Sequence, residues 1–243
     1  MNGPKTLILL TSTYYTKRLI ESAYNKTPDI SVVYVQHPNE LMELDIDFLK
    51  FSRLISFGSA HYIKPHILSL IGFGSYNFHP GPSNYPGWAP FSFALYEKAS
   101  IFGVTVHEMT PQIDAGIIVG TKNFKIPNAC DLQLLMDLTT EVMYELFDEL
   151  VLDFAKRDTS LLSNNEDWSG HIWTKNDFKN MCHIPLDISK EELDKRILAF
   201  GYSDGTNFPH LYFNNHKYII AYPEDNLERA DIYVHGQRFI KTN

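Results

Sequence analysis

The sequence predicts an α/β fold, an open and mostly parallel sheet followed by a small C-terminal unit of one helix and antiparallel β-hairpins. Three observations carry this reading. Over the first hundred residues short apolar runs alternate with amphipathic stretches, the pattern of a parallel sheet covered on both faces. Two strand candidates then stand side by side, Gly103 to Met109 and Gly116 to Phe124. Beyond Lys156 the composition turns polar, and a capped helix and two turn-linked strand pairs follow.

Taken in order, Lys5 to Leu10 is a short apolar strand, and Thr11-Ser12-Thr13 supplies hydroxyls suited to cap a helix over Tyr14 to Tyr24. Val32-Val33-Tyr34-Val35 marks a strand from Ile30 to Gln36, and Phe51 to Phe57 reads as a third strand ending at Gly58. The connector between them is expected to hold a short helix. Pro65 begins the next helix, which runs towards Ile71 and stops at Gly72, and Ser75 to Phe78 returns as a fourth strand. After the paired strands, Leu132, Leu135, Met136, Val142, Met143, Leu146, Phe147, Leu150 and Phe154 recur near the helical period, with Asn128 or Asp131 as the cap. Ser189-Lys190-Glu191-Glu192 has the form of a capping box before a helix ending near Gly201. The closing hairpins turn at Asn214-Asn215 and at His235-Gly236, the second returning through Phe239-Ile240.

The chain has 243 residues, which suits one main core with an appendage; the expected division is residues 1–182 and 183–243. Apolar residues make up 44% and charged residues 21%, with 16 Phe and 14 Tyr, so a packed protein is expected rather than a disordered one. The formal charge of −8, without a basic run, argues against a surface that tracks nucleic-acid phosphates. No stretch approaches the roughly 20 apolar residues of a spanning helix. The start, Met1-Asn2-Gly3-Pro4-Lys5, lacks the pattern of a secretory leader, so a cytoplasmic chain without membrane partners is expected. Cys130 and Cys182 lack metal-ligand spacing and read as buried thiols.

Two segments carry candidate chemistry. In Tyr76-Asn77-Phe78-His79-Pro80-Gly81-Pro82, Asn77 and His79 share one face of a strand whose end is stopped by Pro-Gly-Pro. The carboxyl ends of parallel strands open into the usual ligand crevice, so an amide and an imidazole are expected to converge there. Taken alone, the segment reads equally well as a strand entering a turn. The second segment runs from Gly103 to Gly116 and contains Thr105, His107 and Asp114; an Asp before a Gly in a loop is, by itself, a common turn former. His61, His66 and His107 read as structural imidazoles, since no metal-binding spacing connects them. Gly72-Phe73-Gly74 precedes its strand rather than following one, so a dinucleotide-binding fingerprint is absent.

Together, Asn77, His79 and Pro80, then Gly103, Thr105 and His107, then Asp114 and Gly116 resemble the 10-formyltetrahydrofolate-dependent formyltransferases, most clearly over Ile55 to Val119. The resemblance implies the Rossmann-like formyltransferase fold, 10-formyltetrahydrofolate as formyl donor without a metal, and Asn77, His79 and Asp114 as catalytic residues. The chemistry suits these groups. Asn77 would donate to the oxyanion formed when an amine attacks the formyl carbon. His79 would act as base, with Asp114 holding it charged or orienting it. The resemblance also places folate along Ser59, Tyr62 and Ile63 and beside Met109 and Thr110, for which apolar packing is the alternative.

The acceptor is read from what surrounds this core. The loop Ser83 to Phe91 contains Tyr85-Pro86-Gly87-Trp88, with Pro86 where many relatives have Arg. The short acidic C-terminal unit disfavours an initiator-tRNA acceptor. The resemblance is greatest to nucleotide-sugar N-formyltransferases of surface-polysaccharide (lipopolysaccharide, O-antigen) synthesis. It implies a dTDP-linked 4-amino-4,6-dideoxy sugar as substrate, Tyr85 and Trp88 along the sugar, and a homodimer. Glycinamide ribonucleotide formylation and a non-catalytic binding module of the same fold stay open as alternatives.

Overall fold

The computed structural model describes residues 3–201, 208–221, 231–234 and 237–239. The described residues divide into two compact units. The first comprises Met1–Pro86, Ile101–Lys125 and Asp137–His171; the second comprises Gly87–Ser100, Ile126–Met136 and Ile172–Asn243.

The first unit is built on a six-stranded sheet of β1 (Thr6–Thr11), β2 (Ser31–Val35), β3 (Ser52–Phe57), β4 (Ser75–His79), β5 (Ile101–Glu108) and β6 (Ile118–Lys125), in the order β2-β1-β3-β4-β5-β6. The first four are parallel; β5 and β6 run antiparallel to their neighbours, as the short connection between them requires. β1 and β3 are buried along their whole length, and β1 accordingly reads as a nearly continuous apolar run rather than as alternation.

Helix α1 (Thr13–Lys26) follows β1, but its N-cap Ser12 makes no side-chain capping bond. The connector before β3 holds a 3₁₀ turn at Pro38–Glu43 and the short helix α2 (Ile46–Lys50), whose N-cap Asp45 accepts from the Asp47 and Phe48 amides. Helix α3 covers only Pro65–Leu68, and helix α4 (Pro90–Tyr96) has no counterpart in the sequence reading. Helix α5 runs from Leu132 to Lys156, and Asp131 caps it by accepting the Leu134 amide at 2.8 Å.

One face of the sheet is apolar because alternate side chains of every strand face α5. Leu7, Leu9, Ile55, Phe57, Tyr76, Phe78, Val104 and Val106 pack with Met143, Leu146, Phe147, Val151 and Phe154. Ring contacts join Phe78 to Phe147 at 5.9 Å and Tyr76 to Phe154 at 5.3 Å. Each such side chain contributes about 1.5–3 kcal/mol by leaving water. Met136, counted with this apolar face in the sequence, is 40% exposed. On the other face Ile8, Leu10, Leu54, Ile63 and Ile67 form a second cluster.

Arg53 interrupts β3 as a charged residue with no exposed surface. Its guanidinium donates to five carbonyls: Phe73 at 2.7 Å, Asp153 at 3.0 Å, Phe154 at 2.6 Å, Arg157 at 3.2 Å and Thr159 at 2.8 Å. Most of these acceptors are at or just beyond the C-terminal end of α5, where carbonyls lack helical partners and a positive charge is favoured. Burial pushes the Arg53 pKa down from its ordinary value.

The second unit contains α4, α6 (Lys175–Cys182), α7 (Lys190–Phe200) and a four-stranded antiparallel sheet of β7 (His210–Phe213), β8 (His216–Ala221), β9 (Asp231–Val234) and β10 (Gln237–Phe239). Phe93 stacks on Trp173 at 3.7 Å and meets Phe200 edge-on at 5.4 Å. Only half of the capping box before α7 forms. Ser189 accepts the Glu192 amide, whereas the Glu192 carboxylate turns to Arg196 and Tyr96. The turn at Asn214-Asn215 has positive φ at both residues, as a tight hairpin demands. The turn residues His235-Gly236 and Ile240 lie outside the described residues. Cys130 and Cys182 are buried, with no disulfide between them. Among the described residues no helix is long and apolar enough to cross a membrane.

Candidate active site

The face of β4 opposite α5 presents Asn77 and His79, two residues apart, while Tyr76 and Phe78 between and before them fill the core. Antiparallel pairing sets Asn77 directly across from His107 and His79 across from Thr105, so the polar groups of two strands meet on one side of the ladder. The β5–β6 register shifts between Val106 and His107, a bulge at the edge of this cluster.

Asp114 comes from the loop joining β5 to β6 and holds φ at 44°, in the left-handed region that few residues other than Gly, Asn and Asp adopt. Two residues on, Gly116 is required by space: a Cβ there would lie 1.8 Å from the Glu108 carbonyl oxygen. Asp114 is thereby aimed between two imidazoles. Its Oδ2 lies 3.3 Å from His79 Nδ1 and its Oδ1 lies 3.2 Å from His107 Nε2, with all three side chains buried. Asn77 Nδ2 stands 3.3 Å from the same His107 nitrogen. His107 Nδ1–H donates to the Glu108 carbonyl and His79 Nε2–H to the Tyr85 carbonyl, each at 2.9 Å.

Both ring nitrogens of His79 therefore face acceptors. A neutral ring satisfies one contact and the imidazolium satisfies both, so the arrangement favours proton uptake while burial opposes it. Burial is the larger effect and pushes the His79 pKa below its ordinary value, with Asp114 pulling the other way. The resting form is thus the neutral base rather than the charged one. Thr105 Oγ1, buried beside His79, has no hydrogen-bond partner among the described residues. No group of three His, Cys, Asp or Glu side chains among the described residues has an arrangement suited to a metal ion.

The other sequence candidates lie around this cluster to differing degrees. Tyr62 is 54% exposed, and its hydroxyl donates to the Pro111 carbonyl at 3.2 Å, joining the loop after β3 to the loop that carries Asp114. Ser59 accepts the His61 amide, and Thr110 donates to the Gln112 carbonyl. Ile63 is buried in the second apolar cluster, where Met109 packs against it. Two crevices of about 190 Å³ each open at the carboxyl ends of β1, β2 and β3. They share His37 and His61, whose rings lie 4.2 Å apart; Tyr62 and Lys64 line one, Ser12 and Ser59 the other. Tyr85 is buried and touches the cluster through its carbonyl. Trp88 falls in the second unit, where its amide donates to the Trp173 carbonyl and Lys175 lies 4.2 Å over its ring.

Two residues of the cluster escaped the sequence reading. By its sequence His107 reads as a structural imidazole, although its place in Gly103-x-Thr105-x-His107 is a usable signal. Trp168 packs edge-on against His79 at 5.6 Å and His107 at 5.0 Å, and nothing in its sequence neighbourhood points to that.

No family model matches the chain. Among curated proteins, a methionyl-tRNA formyltransferase of Mycoplasma mycoides subsp. mycoides is 25% identical over 178 residues, 71% of this chain and 56% of that protein. A dTDP-4-amino-4,6-dideoxyglucose formyltransferase of Mycobacterium bovis is 30% identical over 116 residues, 46% of this chain and 47% of that protein. The chain thus spans about half the length of the curated relatives it matches. A solved 4-N formyltransferase from Francisella tularensis superposes with a TM-score of 0.71 at 20% identity, covering 90% of this chain and 97% of that one. HypX from Aquifex aeolicus in complex with tetrahydrofolic acid gives 0.63 at 19% identity, over 90% of this chain and 37% of that one. The fold is that of the formyltransferases, and the resemblance read from the sequence is borne out.

Proposed function

On this fold, we propose that the chain moves a formyl group from 10-formyltetrahydrofolate to the amino group of a nucleotide-linked amino sugar, with dTDP-4-amino-4,6-dideoxyglucose as the preferred acceptor. The observation that carries formyl transfer is the meeting of Asn77, His79 and Asp114 through His107 on one face of β4 and β5.

Asn77 donates an amide hydrogen to the oxygen that gains charge as the acceptor nitrogen bonds to the formyl carbon, and does so without titrating. His79, held neutral with its proton on Nε2, takes up at Nδ1 the proton that the attacking nitrogen loses, which reaches it through the Asp114 carboxylate. Asp114 balances the imidazolium, which returns the proton to the folate nitrogen as its bond to the formyl carbon breaks. The residues present fit a reduced folate. The crevices at the strand ends carry His37, His61 and Lys64, suited to an anionic ligand in an otherwise acidic chain, and Tyr62 offers an exposed ring. Ser59, Ile63, Met109 and Thr110 complete the proposed folate side; Tyr85 and Trp88 are the proposed sugar contacts.

Support for the acceptor comes from the Mycobacterium relative and from the likeness to the Francisella structure. A role in O-antigen synthesis, a homodimer and a cytoplasmic location belong to the same reading. The test is a panel assay with 10-formyltetrahydrofolate and nucleotide-linked amino sugars, glycinamide ribonucleotide and methionyl-tRNA, read by mass. A gain of one formyl group on the dTDP-sugar supports the proposal; transfer to another acceptor alone overturns the substrate, and transfer to none overturns the reaction.

A further inference from the structure

We propose that Trp168 is a positioning residue for the imidazole pair: anchored to Gly116, its indole fixes the orientation of the His79 and His107 rings and keeps water from that side of them. The indole plane stands at 75° to His79 and 82° to His107, edge contacts with both rings at once. Its Nε1–H donates to the Gly116 carbonyl at 2.8 Å, so the ring is held to the same loop that carries Asp114.

The segment that delivers Trp168 is itself fastened along its length. The Asn164 amide donates to the Ile118 carbonyl at 3.0 Å, and the Ser169 amide to the Ser83 carbonyl at 3.1 Å. Between them the Glu166 carboxylate accepts from Ser83 Oγ at 2.6 Å and from Thr121 Oγ1 at 2.8 Å. Residues 164–169 thus form a strap tied to β6 on one side and to the loop after β4 on the other. A side chain placed by four such bonds differs from an aromatic ring that merely fills surface, because the ring cannot turn without breaking its anchor.

The inference rests on the proposed reaction only for what the positioning is for; the geometry stands without it. The groups facing His79 are Asp114, His107, the Tyr85 carbonyl and the indole; those facing His107 are Asp114, Asn77, the Glu108 carbonyl and the indole. Removing the indole admits water to His79, and a hydrated imidazole titrates nearer its ordinary value.

The test is an NMR titration of the His79 and His107 ring signals in the full chain without substrate, with His79→Gln used for assignment, alongside formyl-transfer kinetics. Trp168→Ala is expected to raise the His79 midpoint and to lower kcat about tenfold or more while leaving the KM for folate within about threefold. Trp168→Phe, which keeps a ring, is expected to restore most of both and guards against a variant that fails to fold. Unchanged midpoints and unchanged kcat in a folded Trp168→Ala overturn the proposal, as does a Trp168→Phe variant no better than Trp168→Ala. Because the titration needs no acceptor, shifted midpoints with no formyl transfer by the native chain would uphold the positioning role and overturn the proposed function alone.

Discussion

His107 Nε2 and Asp114 Oδ1 lie 3.2 Å apart, so the carboxylate facing His79 on one side faces a second imidazole on the other. β5 and the loop that follows it thus bring His107 and Asp114 to the same point as His79, and the groups of this cluster are expected to act together. His79→Ala and Asp114→Ala are each expected to lower turnover by about 10²–10⁴-fold with little change in folate KM, since both act as charge develops. Steady-state kinetics at saturating donor check this; a variant with native turnover would refute the assignment.

Asn77→Ala is expected to lower turnover by about 10²–10³-fold, the usual cost of removing one oxyanion donor. The same variant removes an amide from His107, so its ring signal is expected to move as well. Kinetics and the NMR spectrum separate the two effects.

The stability of the chain is expected to fall as the pH falls below about 6.5, the ordinary imidazole value. His79 binds its proton less readily folded than unfolded, so between the lowered folded pKa and that value the unfolded chain takes up more protons. Its contribution is complete above the window and lost as pH falls through it. Thermal melts from pH 8 to pH 5 should be flatter for His79→Gln than for the native chain.

Arg53→Met is expected to destabilise the fold by about 3 kcal/mol or more, because buried carbonyls at the end of α5 lose their donor. In a chain of this size that corresponds to a fall in Tm of roughly 6–12 °C. Urea denaturation measures it directly, and a change within 1 kcal/mol, on the order of a surface substitution, would contradict the assigned role.

Gly116→Ala is expected to cost about 1–3 kcal/mol, since the new methyl group meets the Glu108 carbonyl and the backbone must give way. The displaced Gly116 carbonyl is the acceptor for Trp168, so tryptophan fluorescence should change with it.

The strands and the cluster residues were legible for a shared reason: both are written locally. Period-two placement puts Asn77 and His79 on one face, and a continuous apolar run marks β1. Helices α4 and α6 were not legible, because Pro90–Tyr96 and Lys175–Cys182 are too short to show a period and are set by their packing and caps. Arg53 in a strand and Trp168 in a polar connection acquire their roles from residues about twenty or more positions distant in the chain. His107 lies between these cases, since its strand was visible but its register against β4 was not.

The bulge between β5 and β6 takes up one extra residue where the ladder reaches the histidines. With Val106 opposite Gly120 and His107 opposite Ile118, Val119 is accommodated as an additional residue, and Thr121 stays on the side of the ladder that holds Glu166. Deleting Val119 would let Gly120 follow Ile118 directly, so the ladder would close without the bulge while Thr121 kept its place opposite Thr105; the extra residue therefore shapes only the histidine end of the sheet, and the strand beyond it is held in phase by its own pairs.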